Sequence, residues 1–306
     1  MTLSPMARDR ISAFWMLLPT FLLLFAFYLY PTLYNLELSF TDITLLQLRQ
    51  GGKNVGFANY VEFLQSSSFL DIAINTVFWL TFVSVSMMLI LGLLMALLLN
   101  SQFLRRIRMT TVARLILLVP WATPPVVAVI AWRWLFDPKH GAINEFLMWT
   151  GLISDPITFL ADLATVWPAI NTIIIWNSTP LVAVALLAAL QTIPEEQIEA
   201  AEIDGATRWQ QFRFVVLPYL MPTLSILGLM SVIWTFNNFV YVWLATGAGP
   251  GTYTNVLATE IYMRAFIDMR IGYSSAIGVV MAVVMAIFGS LYFRFFGLMN
   301  MQEKLG

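Results

Sequence analysis

The sequence predicts an all-α, polytopic membrane protein with six transmembrane helices. Three observations predict it. Of the 306 residues 59% are hydrophobic and only 11% charged, where a soluble domain carries about 25% charged residues. Apolar runs of roughly 20 residues, the length that spans a bilayer, recur six times along the chain. Lysine and arginine gather in alternate connections between those runs. A chain of this length and a mean hydropathy of +0.79 cannot fold as one water-soluble globule without exposing extensive apolar surface.

The elements follow in order. The first span is expected at Phe14–Leu36, after Arg8 and Arg10. A signal peptide shares those features, but the run is longer than a signal core and no A-x-A-like site closes it, so it reads as a retained helix. The second is expected at Ile74–Leu99, the third at Val112–Trp134 and the fourth at Ala164–Leu190. The fifth is expected at Leu220–Leu244 and the sixth at Ile271–Phe293, so the whole of 1–306 reads as one domain with its six-helix bundle over 14–293. Pro120, Pro124 and Pro125 should interrupt the third span, and Pro168 and Pro180 the fourth, because proline removes a backbone donor. Such helices suit a bundle, where neighbours satisfy the freed carbonyls.

Orientation follows from the basic residues of short loops. Arg8, Arg10, Arg105, Arg106, Arg108, Arg208, Arg213, Arg294 and Lys304 fall on one side of six spans. That side is expected to be cytoplasmic, with both termini there. Arg49, Lys53, Arg133, Lys139, Arg264 and Arg270 fall on the other, among more acidic residues. Arg133 comes near the outer mouth, which does not by itself imply an anionic ligand. The outer connection Thr41–Phe69 is too short for a substantial domain, and a short interfacial helix is expected around Ile143–Met148.

Composition also excludes chemistry. The chain has no cysteine, which removes disulfides, thiolate catalysis and cysteine metal sites. The one histidine, His140, sits in a loop-like stretch and reads as a surface residue. No metal, cofactor or catalytic residue is expected. A net charge of −1 gives no basis for a nucleic-acid partner. No G-x-x-x-x-G-K-[ST] motif is present, so any ATP hydrolysis belongs to another chain.

The most informative stretch is QTIPEEQIEAAEIDGATRWQQFRFVVLP, at 191–218. Thr192 with Glu195 fits a capping box, and Pro194, Glu195 and Glu196 suit a helix start. Gly205 should break that helix, and Asp204 is placed to cap a second one beginning near Ala206. The second carries Trp209, Phe212 and Val216 as one apolar stripe, and Pro218 should close it before the fifth span. The whole reads as a helix–turn–helix at the cytoplasmic membrane edge. It is either a plain connector or a docking surface for a cytoplasmic partner.

This stretch resembles the EAA loop of binding-protein-dependent ABC importer permeases. That pattern, E-A-A, three residues, G and then a hydrophobic residue with P, falls on Glu199, Ala200, Ala201, Gly205, Leu217 and Pro218, with Asp204 and Ala206 beside the glycine. Stretches from Leu117, Asn171, Trp234 and Ile261 are similar to the carbohydrate permeases of the maltose and glycerol-3-phosphate kind. One departure is Ala245-Thr246-Gly247-Ala248-Gly249-Pro250, where that family often shows L-T-x-G-G-P.

The resemblance implies a type I importer permease fold in a bacterial or archaeal inner membrane. It implies a non-catalytic subunit that lines a pathway for a sugar or polyol phosphate with a second permease chain. Two cytoplasmic ATPase subunits would bind beneath the permeases, each permease inserting its loop helix into a groove on an ATPase, and an extracytoplasmic binding protein would deliver the solute. Glu199 and Asp204 would orient the docking helix, Gly205 would permit its turn, and Trp209 and Phe212 would seat it. Polar groups in apolar helices are candidate pathway residues: Asn171, Asn177 and Ser178 in the fourth span, Asn237 and Asn238 in the fifth. Trp176 and Trp234 are candidate sugar-stacking rings. The plainer reading is that these asparagines bridge helices and the tryptophans mark an interface. A secondary transporter is the first rival, but the spans hold almost no carboxylate for ion coupling. A membrane scaffold is another, and a membrane enzyme lacks any histidine–carboxylate cluster.

Overall fold

In the computed structural model the backbone is described for residues 5–101 and 110–303, and the side chains for 14–101 and 111–294. The side chains of Arg8, Arg10, Arg105, Arg106, Arg108 and Lys304, on which part of the orientation argument rests, lie outside those residues. Among the described residues the only β pairing is an isolated bridge between Thr41 and Asn54. Everything else regular is helical.

Among the described residues five helices are long and apolar enough to cross a membrane: Phe14–Leu38, Phe69–Leu99, Val166–Leu190, Arg208–Phe236 and Ile271–Arg294. A bent pair, Thr111–Ala122 and Pro125–Leu135, whose axes differ by 95°, has the length and composition of a sixth span. The break falls at Thr123–Pro124, with Pro124 extended at ψ 139. Pro120 stays inside the first arm. The fourth span departs from expectation, since Val166–Leu190 runs unbroken through Pro168 and Pro180. Pro168 sits in the first turn, where its missing N–H has no intrahelical acceptor anyway. Pro180 is buried beside Thr179, Val182 and Ala183, and packing holds the helix around it.

The fifth span is also shifted. It starts at Arg208 and ends at Phe236, instead of running from Leu220 to Leu244. Pro218 does not close a helix there. Phe212–Val216 widens into a π-turn, in which the Leu217 N–H reaches back to Phe212 O, and the helix then continues from Leu217. Pro218 needs no donor at that point. At the far end Asn237 leaves helical geometry, and its side chain donates to Ile233 O at 2.7 Å. Asn238 Oδ1 accepts from Tyr241 N at 3.3 Å and starts the separate helix Val240–Thr246. Short amides that bond nearby backbone are effective at ending helices.

The chain forms two compact units. One comprises Met1–Ser67 and Glu260–Val284. The window of its first span has none of its residues buried. The connection after that span is ordered by buried Asn59, which donates to Ser39 O and Thr41 O at 2.9 and 2.8 Å. Gly272 lets the Ile271 helix start against this connection, since a Cβ there would lie 1.9 Å from Thr41 O. Arg270 clamps Glu62 through two bonds of 2.6 and 2.7 Å and lies 4.3 Å over the Tyr273 ring.

The other unit comprises Ser68–Thr259 and Met285–Gly306. The second and fourth spans are packed side by side at its centre. Gly92 and Ala96 form a small-xxx-small face that lets them approach closely. A Cβ on Gly92 would fall 2.6 Å from Val182 Cγ1. Asn75 in the second span donates to Tyr253 O and Asn255 O at 2.8 and 3.0 Å, pinning the loop before Leu257. The expected short helix near Ile143 is present as Ala142–Trp149, held by buried Asn144, which exchanges bonds of 2.9 Å with both backbone groups of Ile157. His140 is exposed, as expected.

Candidate functional site

The stretch at 191–218 folds as two helical pieces joined by a tight turn, with capping chemistry that differs from expectation. Thr192 does not cap the first piece; its hydroxyl donates to Ala189 O at 2.8 Å and closes the preceding span. The helix Glu195–Ile203 instead follows Pro194, which takes the N-cap position at φ −59, ψ 130. Glu195 and Glu196 occupy its first turn, where carboxylates favour the positive end of the helix dipole.

The end of this helix is a Schellman motif. Asp204 is its C-cap and not the cap of the next helix. Gly205 follows with φ +77, and a Cβ there would meet nothing within 4 Å. Gly205 N donates to Glu202 O at 3.0 Å and Ala206 N to Ala201 O at 2.9 Å. The glycine is required by the left-handed backbone, not by crowding. Ala201 and Ala206 then occupy the positions where this motif usually brings two apolar side chains together.

The second piece, Arg208–Gln211, is capped by Thr207. Thr207 N donates to Gln210 Oε1 at 2.7 Å and Gln210 N to Thr207 Oγ1 at 3.3 Å, a complete capping box. The T-x-x-Q spacing at 207–210 carried that signal in the sequence; Asp204 stood three residues too early.

The unit is fixed on one side and open on the other. Ile198 and Val216 pack against a buried cluster that includes Ala96, Leu99, Leu190, Ile193 and Leu220. Tyr219 Oη donates to Thr192 O at 3.1 Å across the two ends of the stretch. Facing away, Ile203, Trp209 and Phe214 expose 86%, 69% and 72% of their surface, unusual values for large apolar side chains. The Trp209 ring lies 5.6 Å from the Phe212 ring, and Phe212 is half-buried. Of the two expected seating side chains, Phe212 is partly covered by the chain and Trp209 is left open to a partner. Glu199, Ala200 and Asp204 are exposed, and Ala201 and Leu217 half-buried. Ala200, Ala201 and Asp204 face Phe214, Val215 and exposed Pro218 across a cleft of about 540 Å³.

The candidate pathway residues divide. Asn171 is buried and accepts from Ser84 Oγ at 3.0 Å, tying the fourth span to the second. Asn177, also buried, donates to Pro120 O at 2.7 Å and Thr123 O at 3.1 Å and accepts from Tyr241 Oη at 2.5 Å. It thus fastens the break of the third span to the Val240–Thr246 helix, a role for Tyr241 that its sequence context did not signal. Trp176 is half-buried, edge-on to Trp132 at 5.8 Å. Trp234 and Asn237 are exposed, and Ser178 and Asn238 half-buried. The asparagines of the fourth span therefore bond helix to helix, while Asn237 and Asn238 shape a chain break.

The profile of the family described as binding-protein-dependent transport system inner membrane component matches residues 88–300, most of the chain and the whole of the Glu195–Pro218 unit. The chain belongs to that family. The permease is 33% identical over 288 residues to the sulfoquinovosyl glycerol transport system permease of Agrobacterium fabrum, covering 94% of this chain and 90% of that one. It is 31% identical over 291 residues to the trehalose/maltose transport system permease of Thermococcus litoralis, covering 94% of each. Its fold matches a chain of a bacterial alginate ABC transporter, solved with an alginate pentasaccharide-bound periplasmic protein, at a TM-score of 0.76 and 25% identity, with 93% of this chain and 94% of that one covered. The permease is thus the membrane-spanning subunit of an ABC importer, with an all-α polytopic fold.

Proposed function

We propose that the permease forms, with a second homologous permease chain, the pathway of a sugar importer in a bacterial or archaeal inner membrane. Both termini and the 191–218 stretch face the cytoplasm, and 14–293 forms the spanning bundle. Two cytoplasmic ATPase subunits sit beneath the two permeases, one of them docking on the Glu195–Pro218 unit, and an extracytoplasmic binding protein delivers the solute. The observation that carries this reading is the capped helix–turn–helix with one face anchored and three large apolar side chains exposed on the other. Exposed apolar groups on a rigid support mark a protein contact. Work can be transmitted only through an element that moves as a body. Ile198, Val216 and Tyr219 supply that rigidity.

In this reading the acidic helix presents Glu199, Ala200 and Ala201 to a groove on the ATPase. Gly205 and Ala206 set the turn, Trp209 and Phe212 fill the contact, and Leu217 and Pro218 pass the displacement into the fifth span. Asn171, Trp176, Asn177, Trp234, Asn237 and Asn238 flank the pathway, with Asn177 relaying motion between the bent third span and Val240–Thr246. Sugar as cargo is carried over from the two relatives and the alginate transporter. The test is ATP-driven uptake of radiolabelled sugars into proteoliposomes holding the assembled complex. Uptake must require both ATP and the binding protein; uptake that needs only an ion gradient would contradict it.

A further inference from the structure

A second cleft, of about 520 Å³, opens between the end of the Pro125–Leu135 helix, the 158–161 turn and the end of Val240–Thr246. Its volume falls in the range of small-molecule sites, about 300–1,000 Å³. Two charged side chains of opposite sign, Arg133 and Asp137, line it four residues apart and form no ion pair. Each is held by backbone instead. Arg133 Nη1 donates to Leu244 O at 3.2 Å, and Asp137 Oδ1 accepts from Lys139 N and His140 N at 2.9 and 2.8 Å. The remaining guanidinium N–H groups and Asp137 Oδ2 have no partner among the described residues. Aromatic rings complete the lining: Phe136 and Phe159, 5.0 Å apart, and Trp243, stacked on Phe239 at 5.6 Å.

We propose that this cleft is a sugar subsite of the permease, at the outer end of the pathway, and that it selects uncharged over acidic sugars. The proposal rests on the sugar-import reading and narrows it. A sugar ring offers C–H faces that lie on aromatic rings and a rim of hydroxyls that both donate and accept. Arg133 supplies planar donors, and Asp137 supplies an acceptor fixed by two backbone N–H groups. An acidic sugar satisfies Arg133 but meets the Asp137 carboxylate, and like charges at short range cost binding. A cationic ligand meets the opposite conflict. A neutral polyol uses both groups without either conflict. The open shape fits weak, transient binding during hand-over, not storage.

The experiment uses the assembled importer in nanodiscs without its binding protein. Scintillation proximity measures binding of radiolabelled maltose, trehalose and diacetylchitobiose, and of an alginate disaccharide as the acidic probe, normalised to assembled complex. At least one neutral probe should bind about tenfold or more tighter than the acidic one. Arg133→Ala or Trp243→Ala should weaken neutral binding about tenfold, and D137N should narrow the gap by improving acidic binding. If the alanine variants fail to assemble, D137N, which changes charge and little else, carries the test. Equal binding of neutral and acidic probes, binding of none above empty nanodiscs, or indifference to all three variants overturns the proposal. ATP-driven uptake on the same preparation separates the two readings. Uptake with indifferent variants removes the cleft alone, and no uptake of any probe removes sugar import as well.

Discussion

Substitution of Gly205 tests the turn of the Glu195–Pro218 unit by degrees. The residue sits at φ +77 with open space where a Cβ would go, so the cost of a side chain is purely one of backbone. For alanine the left-handed region costs about 1–2 kcal/mol, offset by about 0.4–1 kcal/mol because the unfolded chain loses freedom. The net is about 1 kcal/mol, a roughly fivefold loss of the correctly turned state. Asparagine tolerates this region and should cost less. Proline cannot adopt it, since its φ is fixed near −65°. Proline also deletes the Gly205 N–H that donates to Glu202 O at 3.0 Å, so the Schellman motif cannot form; we expect about 3 kcal/mol or more. The assay is ATPase co-purification and substrate-stimulated ATP turnover in nanodiscs. The expected order is wild type, then Gly205→Asn, Gly205→Ala and Gly205→Pro, with the proline variant uncoupled or disassembled while its membrane topology persists. Normal assembly, turnover and uptake in Gly205→Pro would refute the reasoning, and so would Gly205→Ala falling as far as proline.

Three further outcomes follow from packing and charge. Gly92→Ala places a Cβ 2.6 Å from Val182 Cγ1 and should lower thermal stability of the purified complex by about 1–3 kcal/mol; V182A in the same chain should restore part of it, and an unaltered melting profile for Gly92→Ala would contradict the close helix approach. Asn177→Leu removes the donor to Thr123 O and the acceptor for Tyr241 Oη, at a cost of about 1–3 kcal/mol; uptake should fall more than assembly, whereas equal losses would make Asn177 a packing residue only. Arg270, by hydrogen bonding and charge, holds the Glu62 carboxyl below its ordinary 4.5. A depressed carboxyl contributes stability that is complete above 4.5 and is lost as pH falls through the lower, folded-state value. Both side chains of the pair are nearly half exposed, so the contribution is at most about 1 kcal/mol. Hydrogen exchange in 41–66, corrected for intrinsic rates, should rise at low pH to the level that Glu62→Gln shows at pH 6. Identical protection in wild type and Glu62→Gln at pH 6 would count against the clamp.

Much of this architecture was legible in the sequence because bilayer-length apolar runs are a coarse, strong signal. Gly205 was readable as a turn, since glycine after a short polar helix marks a left-handed cap. The failures were local. Asp204, Thr192 and Thr207 all fit capping patterns, and only backbone geometry decides between candidates one to three residues apart. The fifth span was misplaced at both ends because hydropathy is blind to hydrogen-bond register. A π-turn lets the helix pass Pro218, and two asparagine side chains stop it at Asn237. Pro180 did not break the fourth span because burial among Thr179, Val182 and Ala183 outweighs one lost bond. The Arg133–Asp137–Trp243 cleft was invisible for a different reason: Trp243 stands more than a hundred residues from the other two in sequence.

The central claim is that Glu195–Pro218 is where ATP hydrolysis acts on this permease. The chain contains no cysteine, so Ala200→Cys, on the exposed face of the Glu195–Ile203 helix, gives a single reactive site without further engineering. A short bifunctional cross-linker applied to the assembled complex should join that cysteine to the ATPase subunit, with a yield that changes when the ATPases are trapped with ATP and vanadate. Full labelling of the cysteine in an intact, ATP-hydrolysing complex, with no product containing the ATPase, would contradict the account.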